Sequence, residues 1–330
     1  MKIEPYRVFF PFGLFFALSG TVIWILMAFS LAEINPIQFH PDIMVGGFLQ
    51  SFIAGFLMTA IPNMTRSKTI NKLELSIYTF ISLGMVVTAF VDSRVYFHGF
   101  GLLSILFLIT YVLRRMLSSP FPVFPMAVFI PIGLVCAFSG LSLLILNDLE
   151  LVSFNLWIFG KLLYYQAFVL SLILGVGSML MPMISGHTHF NIFGNGDIEK
   201  SKLFGISKLD WQRFSLAFLF LSSLVIEGFF DVFIGRLLRL GIAFYVAIVL
   251  WKFTKLPLVK SRLTWMLFIS QWMLILGLLL YTFMSDIAVH ALHLTYIGGF
   301  GMMTILIAGR VTLAHGGQGF DLEIKSNILF

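Results

Sequence analysis

Apolar runs of about 20 residues follow one another along almost the whole chain, separated by short polar connections and without the strict alternation of a half-buried strand. They predict ten helices, near 7–31, 42–62, 73–91, 95–114, 121–146, 156–182, 211–230, 232–251, 262–284 and 286–308. Each run is long enough to span the hydrocarbon as a helix, whereas a barrel strand would need only about 10 residues of alternating character. The bilayer offers no water to an unpaired peptide group, so each spanning segment satisfies its own backbone as a helix. The stretch from Val8 to Ala32 is longer than the apolar core of a signal peptide and is followed by many similar runs, so it reads as the first span. The expected fold is an all-α polytopic membrane helix bundle, a single integral membrane domain over residues 1–330. The longest connection, from about 184 to 210, reads as a loop without a function of its own.

Charge fixes the orientation. Lys2 and Arg7; Arg66, Lys68 and Lys72; Arg114 and Arg115; Lys200, Lys202, Lys208 and Arg213; and Lys252, Lys255, Lys260 and Arg262 fall on alternate connections. The opposite connections carry Glu33, Asp92 with Arg94, Asp148 with Glu150, Asp231 and Asp286. By the positive-inside rule both termini are cytoplasmic and the number of spans is even. Only 11% of the 330 residues are charged and 59% are hydrophobic, against about 25% charged in soluble domains, so lipid is the main partner. The net charge of +6 is accordingly a topology signal, and no basic run with interleaved aromatics points to nucleic acid. Cys136 is the single cysteine, which rules out an intrachain disulfide or a cysteine metal cluster; redox chemistry would need a bound cofactor.

The chain also repeats. Span two ends Ala-Gly-Phe-Leu-Met-Thr-Ala-Ile-Pro-Asn (54–63) and span six ends Leu-Gly-Val-Gly-Ser-Met-Leu-Met-Pro-Met (174–183), with Gly55 against Gly175 and Pro62 against Pro182 at one common offset. Span ten carries Gly298, Gly299 and Gly301. These spans are four helices apart, which suggests four-helix units over 7–114, 121–251 and 262–308, the third incomplete.

The histidines separate by depth. His40, His98, His290 and His293 open spans two, four and ten at the outer face; His187, His189 and His315 lie past spans six and ten at the inner face. A neutral imidazole is a standard axial ligand for haem iron, and His290 with His293 shares one helix face. His40 and one of the span-ten histidines are the stronger ligand candidates, with His98 equally readable as structural. Lys161, which has no obvious partner in the sequence, and Arg236 with Arg239 place cations in or beside apolar runs. They could meet haem propionates, or, for the arginines, Glu227 or Asp231. The inner trio His187, His189 and His315 could hold copper or zinc with an open position, although such residues are also ordinary at helix exits.

Phe-His-Pro-Asp-Ile-Met-Val-Gly-Gly-Phe (39–48), Ala-Gly-Phe-Leu-Met-Thr-Ala-Ile-Pro-Asn (54–63), Ala-Leu-His-Leu-Thr-Tyr-Ile-Gly-Gly-Phe-Gly-Met-Met-Thr (291–304) and Arg-Val-Thr-Leu-Ala-His-Gly-Gly (310–317) resemble the NnrS family of bacterial membrane proteins. The resemblance implies a multi-pass protein of the inner membrane that binds haem, taken as b-type, and in the family also copper, and that relieves nitric oxide stress, with nitric oxide and an electron donor as partners. It extends distantly to the catalytic subunit of haem-copper oxidases, where a span-two histidine ligates the low-spin haem; His40 and Met44 match that pattern. The departures are specific. Members usually carry Trp-His-x-His-Glu where Phe39-His40-Pro41-Asp42-Ile43 stands, and an arginine where Gly186-His187 stands. Spans six and seven hold no embedded histidines for a catalytic copper. Haem-dependent redox chemistry is therefore an open reading, beside a small-solute transporter or channel and a non-enzymatic membrane assembly protein.

Overall fold

The computed structural model describes residues 4–31, 34–91, 94–119, 126–187 and 208–316, without the side chains of 208–211. The described residues contain ten long helices and no strand: α1 Pro5–Ala28, α2 Pro36–Thr65, α3 Lys72–Thr88, α4 Arg94–Leu117, α5 Phe129–Asp148, α6 Phe154–Ile184, α7 Lys208–Phe229, α8 Val232–Trp251, α9 Arg262–Phe283 and α10 Ser285–His315. Each apolar run thus becomes one helix. Nine are long and apolar enough to cross a membrane; α3, with 17 residues, is the shortest of the ten. The largest differences from the expected bounds are at α5, which begins at Phe129, α10, which runs on to His315, and α2, which begins at Pro36.

Local chemistry sets the ends. Asn35 caps α2, with Pro36 in the first turn where its missing N–H costs nothing. Asn71 and Glu74 form a capping box on α3, and Asp231 and Ser261 cap α8 and α9. Arg66 (φ 49°) and Lys252 (φ 57°) end α2 and α8 in the left-handed region.

The longest helices are α2, α6 and α10, with 30, 31 and 31 residues, and each contains a π-helical stretch: Asp42–Leu49, Leu162–Ala167 and Leu294–Gly301. The spacing from Asp42 to Leu162 equals that from Gly55 to Gly175 and from Pro62 to Pro182. Phe48, Phe168 and Phe300 stand at one common distance from the start of their stretches, and all three are buried. A fourth stretch, Val246–Trp251, closes α8 and does not share this spacing.

The chain divides into two compact units, Met1–Phe121 with Gly133–Val169, and Pro122–Ile132 with Leu170–Phe330. In the first, α1 and α2 interlock: the ring of Phe52 occupies the space at Gly13, and the ring of Phe16 that at Gly47, so neither glycine leaves room for a Cβ. In the second, α9 and α10 approach as closely, Thr295 lying at Gly277 and Leu274 at Gly299. Such small-residue contacts let helices pack where lipid supplies no hydrophobic drive between them.

Candidate functional site

In the first unit four helices bring ionisable side chains together in a region that is otherwise apolar. Arg94 and His98 lie one turn apart on α4 and share a face. Asp42 comes from the start of the π stretch of α2, Asp148 from the last residue of α5, and Tyr165 from the π stretch of α6. Arg94 donates through Nε to Oδ2 of Asp42 at 2.8 Å, and its Nη2 is 2.8 Å from the same oxygen. His98, with 0% exposure, lies between the two carboxylates, Nε2 3.2 Å from Oδ1 of Asp42 and Nδ1 2.8 Å from Oδ2 of Asp148. The Tyr165 hydroxyl donates to Oδ1 of Asp42, and Arg94 Nη1 stands 3.7 Å from Asp148.

An ionised carboxylate only accepts, so with both aspartates charged each nitrogen of His98 donates and the ring is an imidazolium. The two carboxylates, the guanidinium and the imidazolium then sum to zero. A neutral, mutually hydrogen-bonded set is the form in which such charges are tolerated inside a bundle.

A second polar layer follows two turns along α2. Gln50 donates to Ser104 Oγ (2.9 Å) and to the Gly101 carbonyl (3.2 Å), and accepts from the Tyr164 hydroxyl (2.8 Å); Tyr78 and Ser104 share a bond of 2.6 Å. Gly46 lies between Asp42 and Gln50 on α2, and a Cβ there would come within 2.7 Å of the Tyr164 hydroxyl. Here the absence of a side chain is what allows the tyrosine to reach Gln50.

The four histidines expected at one face, His40, His98, His290 and His293, differ in their surroundings. His40 is half-buried in the first unit, its Nδ1 2.8 Å from the carbonyl of Gly20 and its ring 5.9 Å from that of Trp24. His293, in the second unit, is exposed, with Nδ1 2.8 Å from the carbonyl of Val289. A carbonyl can only accept, so in both rings Nδ1 carries a proton, and a neutral ring then has its lone pair on Nε2, the tautomer found in histidines that ligate metals. His290 is exposed in the second unit. His98, with both nitrogens donating to carboxylates, has no lone pair to offer a metal in this arrangement.

Lys161 belongs to the first unit, and its Nζ lies 3.6 Å from the centroid of the Trp157 ring. The sequence shows no charge to pair with it; its partner is an aromatic face one turn earlier on the same helix. In the second unit Arg236 and Arg239 both reach Glu227, at 3.2 and 2.5 Å, and Arg236 also stacks 3.8 Å over the Tyr281 ring and donates to the Tyr281 carbonyl. Of the two readings for these arginines, this geometry is the pairing with Glu227; Asp231 instead caps α8 by accepting from Ile234 N–H. Of the expected inner trio, His187 is half-buried and its carbonyl accepts from Lys252, while His315 is exposed at the end of α10; His189 lies outside the described residues. Among the described residues no group of three or more His, Cys, Asp or Glu is placed to hold a metal ion.

Sequence reading missed Asp42, Asp148, Arg94, Tyr165 and Gln50 as members of a site. Arg94 and Asp148 read as connection charges, although Arg94 and His98 at helical spacing, and an aspartate just inside the apolar run of α2, were signals of inward-facing polarity.

No curated protein and no solved structure matches the chain. The family model described as NnrS protein matches residues 3–329, nearly the full length. This all-α, multi-pass chain belongs to the NnrS family.

Proposed function

We propose that the protein is a haem-binding protein of the bacterial inner membrane that takes part in nitric oxide handling, with both termini cytoplasmic and with haem held by outer-side histidines. Family membership supports the class of function. The observation that carries the choice of residues is the carbonyl oxygen 2.8 Å from Nδ1 of both His40 and His293, which in the neutral rings makes Nε2 the base. The donor chemistry of these two rings fits an iron ligand, and that of His98 does not. Haem iron, when bound, supplies a position for a diatomic ligand or a route for one electron. The part of the chain is to present Nε2, to orient the ring through the Nδ1–H bond, and to screen the charge nearby. Lys161, at the outer end of α6, is the candidate cation for the propionates.

The test is the reduced-minus-oxidised absorption spectrum of detergent-purified protein, wild type beside His40→Ala and His293→Ala, with and without nitric oxide. A haem band weakened in the His40 variant and shifted by nitric oxide is expected. Colourless protein from haem-replete cells would overturn the proposal.

A further inference from the structure

The connection between α8 and α9 is a fixed platform. Trp251 and Phe253 are buried at its start, and the Phe253 ring lies 4.5 Å from that of Trp272. Its backbone is tied to the exit of α6: Leu258 N–H donates to the Ser185 carbonyl at 2.9 Å, and Lys252 Nζ donates to the His187 carbonyl at 3.3 Å. Gly186, at φ 78°, allows the two chains to pass close by.

This platform presents charge of a single sign. Lys252, Lys255, Lys260 and Arg262 fall within it or at its end, and the sequence has no Asp or Glu between Asp231 and Asp286. Beside it opens a groove of about 540 Å³, lined by Lys260, Ser261, Arg262, Trp265 and Met266. The Ser261 hydroxyl is buried and engaged in capping α9, so the exposed polar side chains of the lining are those of Lys260 and Arg262. Trp265 and Met266 are 41% and 45% exposed, and Ile269 and Trp272 continue the same exposed apolar face along α9.

We infer that this groove binds the headgroup of an anionic phospholipid, with Lys260 and Arg262 on the phosphodiester and an acyl chain along Trp265 and Trp272. Cations at the end of a spanning helix, beside a tryptophan and continuous with an apolar track, match the order of charge, interface and chain in a lipid. A free phosphate would use the cations but not the track. A second copy meeting this face about a two-fold axis would bring two loops of the same sign together. The inference is independent of haem binding.

The full-length protein is placed in phosphatidylcholine nanodiscs containing increasing phosphatidylglycerol, and retained lipid is counted by native mass spectrometry. One phosphatidylglycerol is expected to be retained in preference to phosphatidylcholine. Lys260→Gln should weaken it by roughly tenfold and Lys260→Gln with Arg262→Gln by roughly a hundredfold, at about tenfold for each charge-assisted bond to the phosphodiester. Lys255→Gln removes an exposed charge of the same loop that does not line the groove, and should change binding by less than about twofold. Equal losses for Lys255→Gln and Lys260→Gln would reduce the effect to diffuse charge and overturn the site. Equal retention of phosphatidylcholine, or displacement of the lipid by inorganic phosphate alone, would overturn it as well.

Discussion

Arg94 holds Asp42 through two nitrogens on one oxygen, Nε and Nη2 both 2.8 Å from Oδ2, which leaves Oδ1 to His98 and Tyr165. Removing the guanidinium leaves a carboxylate of 4% exposure in an apolar bundle. Arg94→Ala should cost about 3–5 kcal/mol, as breaking one side of a buried pair does. The paired change Arg94→Gln with Asp42→Asn removes both charges together and should recover a large part of that loss. Unfolding in detergent, followed for single and double variants, checks the difference.

His98→Gln removes the imidazolium but keeps one donor for the carboxylates. It should lower stability by about 1–3 kcal/mol while leaving any haem absorbance per folded molecule unchanged, in contrast to His40→Ala. Loss of the band in folded His98→Gln protein would make His98 a ligand rather than the neutralising charge of the cluster.

Gly46→Ala sets a methyl group within 2.7 Å of the Tyr164 hydroxyl and forces the ring away from Gln50. A loss of about 1–3 kcal/mol is expected from such overpacking. Adding Tyr164→Phe, which removes the atom in conflict, should return part of it; a double variant no more stable than Gly46→Ala would show that the clash lies elsewhere.

In the second unit Glu227 serves two arginines, and Arg239 is only 1% exposed. Glu227→Gln should therefore be more damaging than Arg236→Gln, by about 2 kcal/mol or more, because it takes the carboxylate from a buried cation. The melting temperatures of the two variants, compared in one detergent, give the order directly.

The ten helices were legible because spanning a bilayer requires a run of apolar residues that no local detail can disguise. The charge cluster was not, and the reason is visible in Arg94 and Asp148. Each lies at the end of a helix, where a charge costs little in one dimension, and only the meeting of α2, α4, α5 and α6 turns Asp148 onto His98 and Arg94 onto the two aspartates. Lys161 is a nearer miss. Its partner Trp157 is four residues earlier on the same helix, within reach of any argument from helical spacing that admits an aromatic face as well as a carboxylate. For Arg236 the choice between Glu227 and Asp231 depended on how α8 turns back along α7, which spacing alone does not specify.

The π stretch of α2 has a consequence for experiments along that helix. A stretch of this kind takes up an extra residue per turn, so the two ends of α2 run out of phase with each other. A scan of cysteine accessibility that starts at Gln50 and follows a period of 3.6 residues toward Thr65 would find one regular exposed edge. Carried back through Asp42–Leu49 to Pro36, the same period would slip, and the exposed edge beyond it would have to be counted afresh.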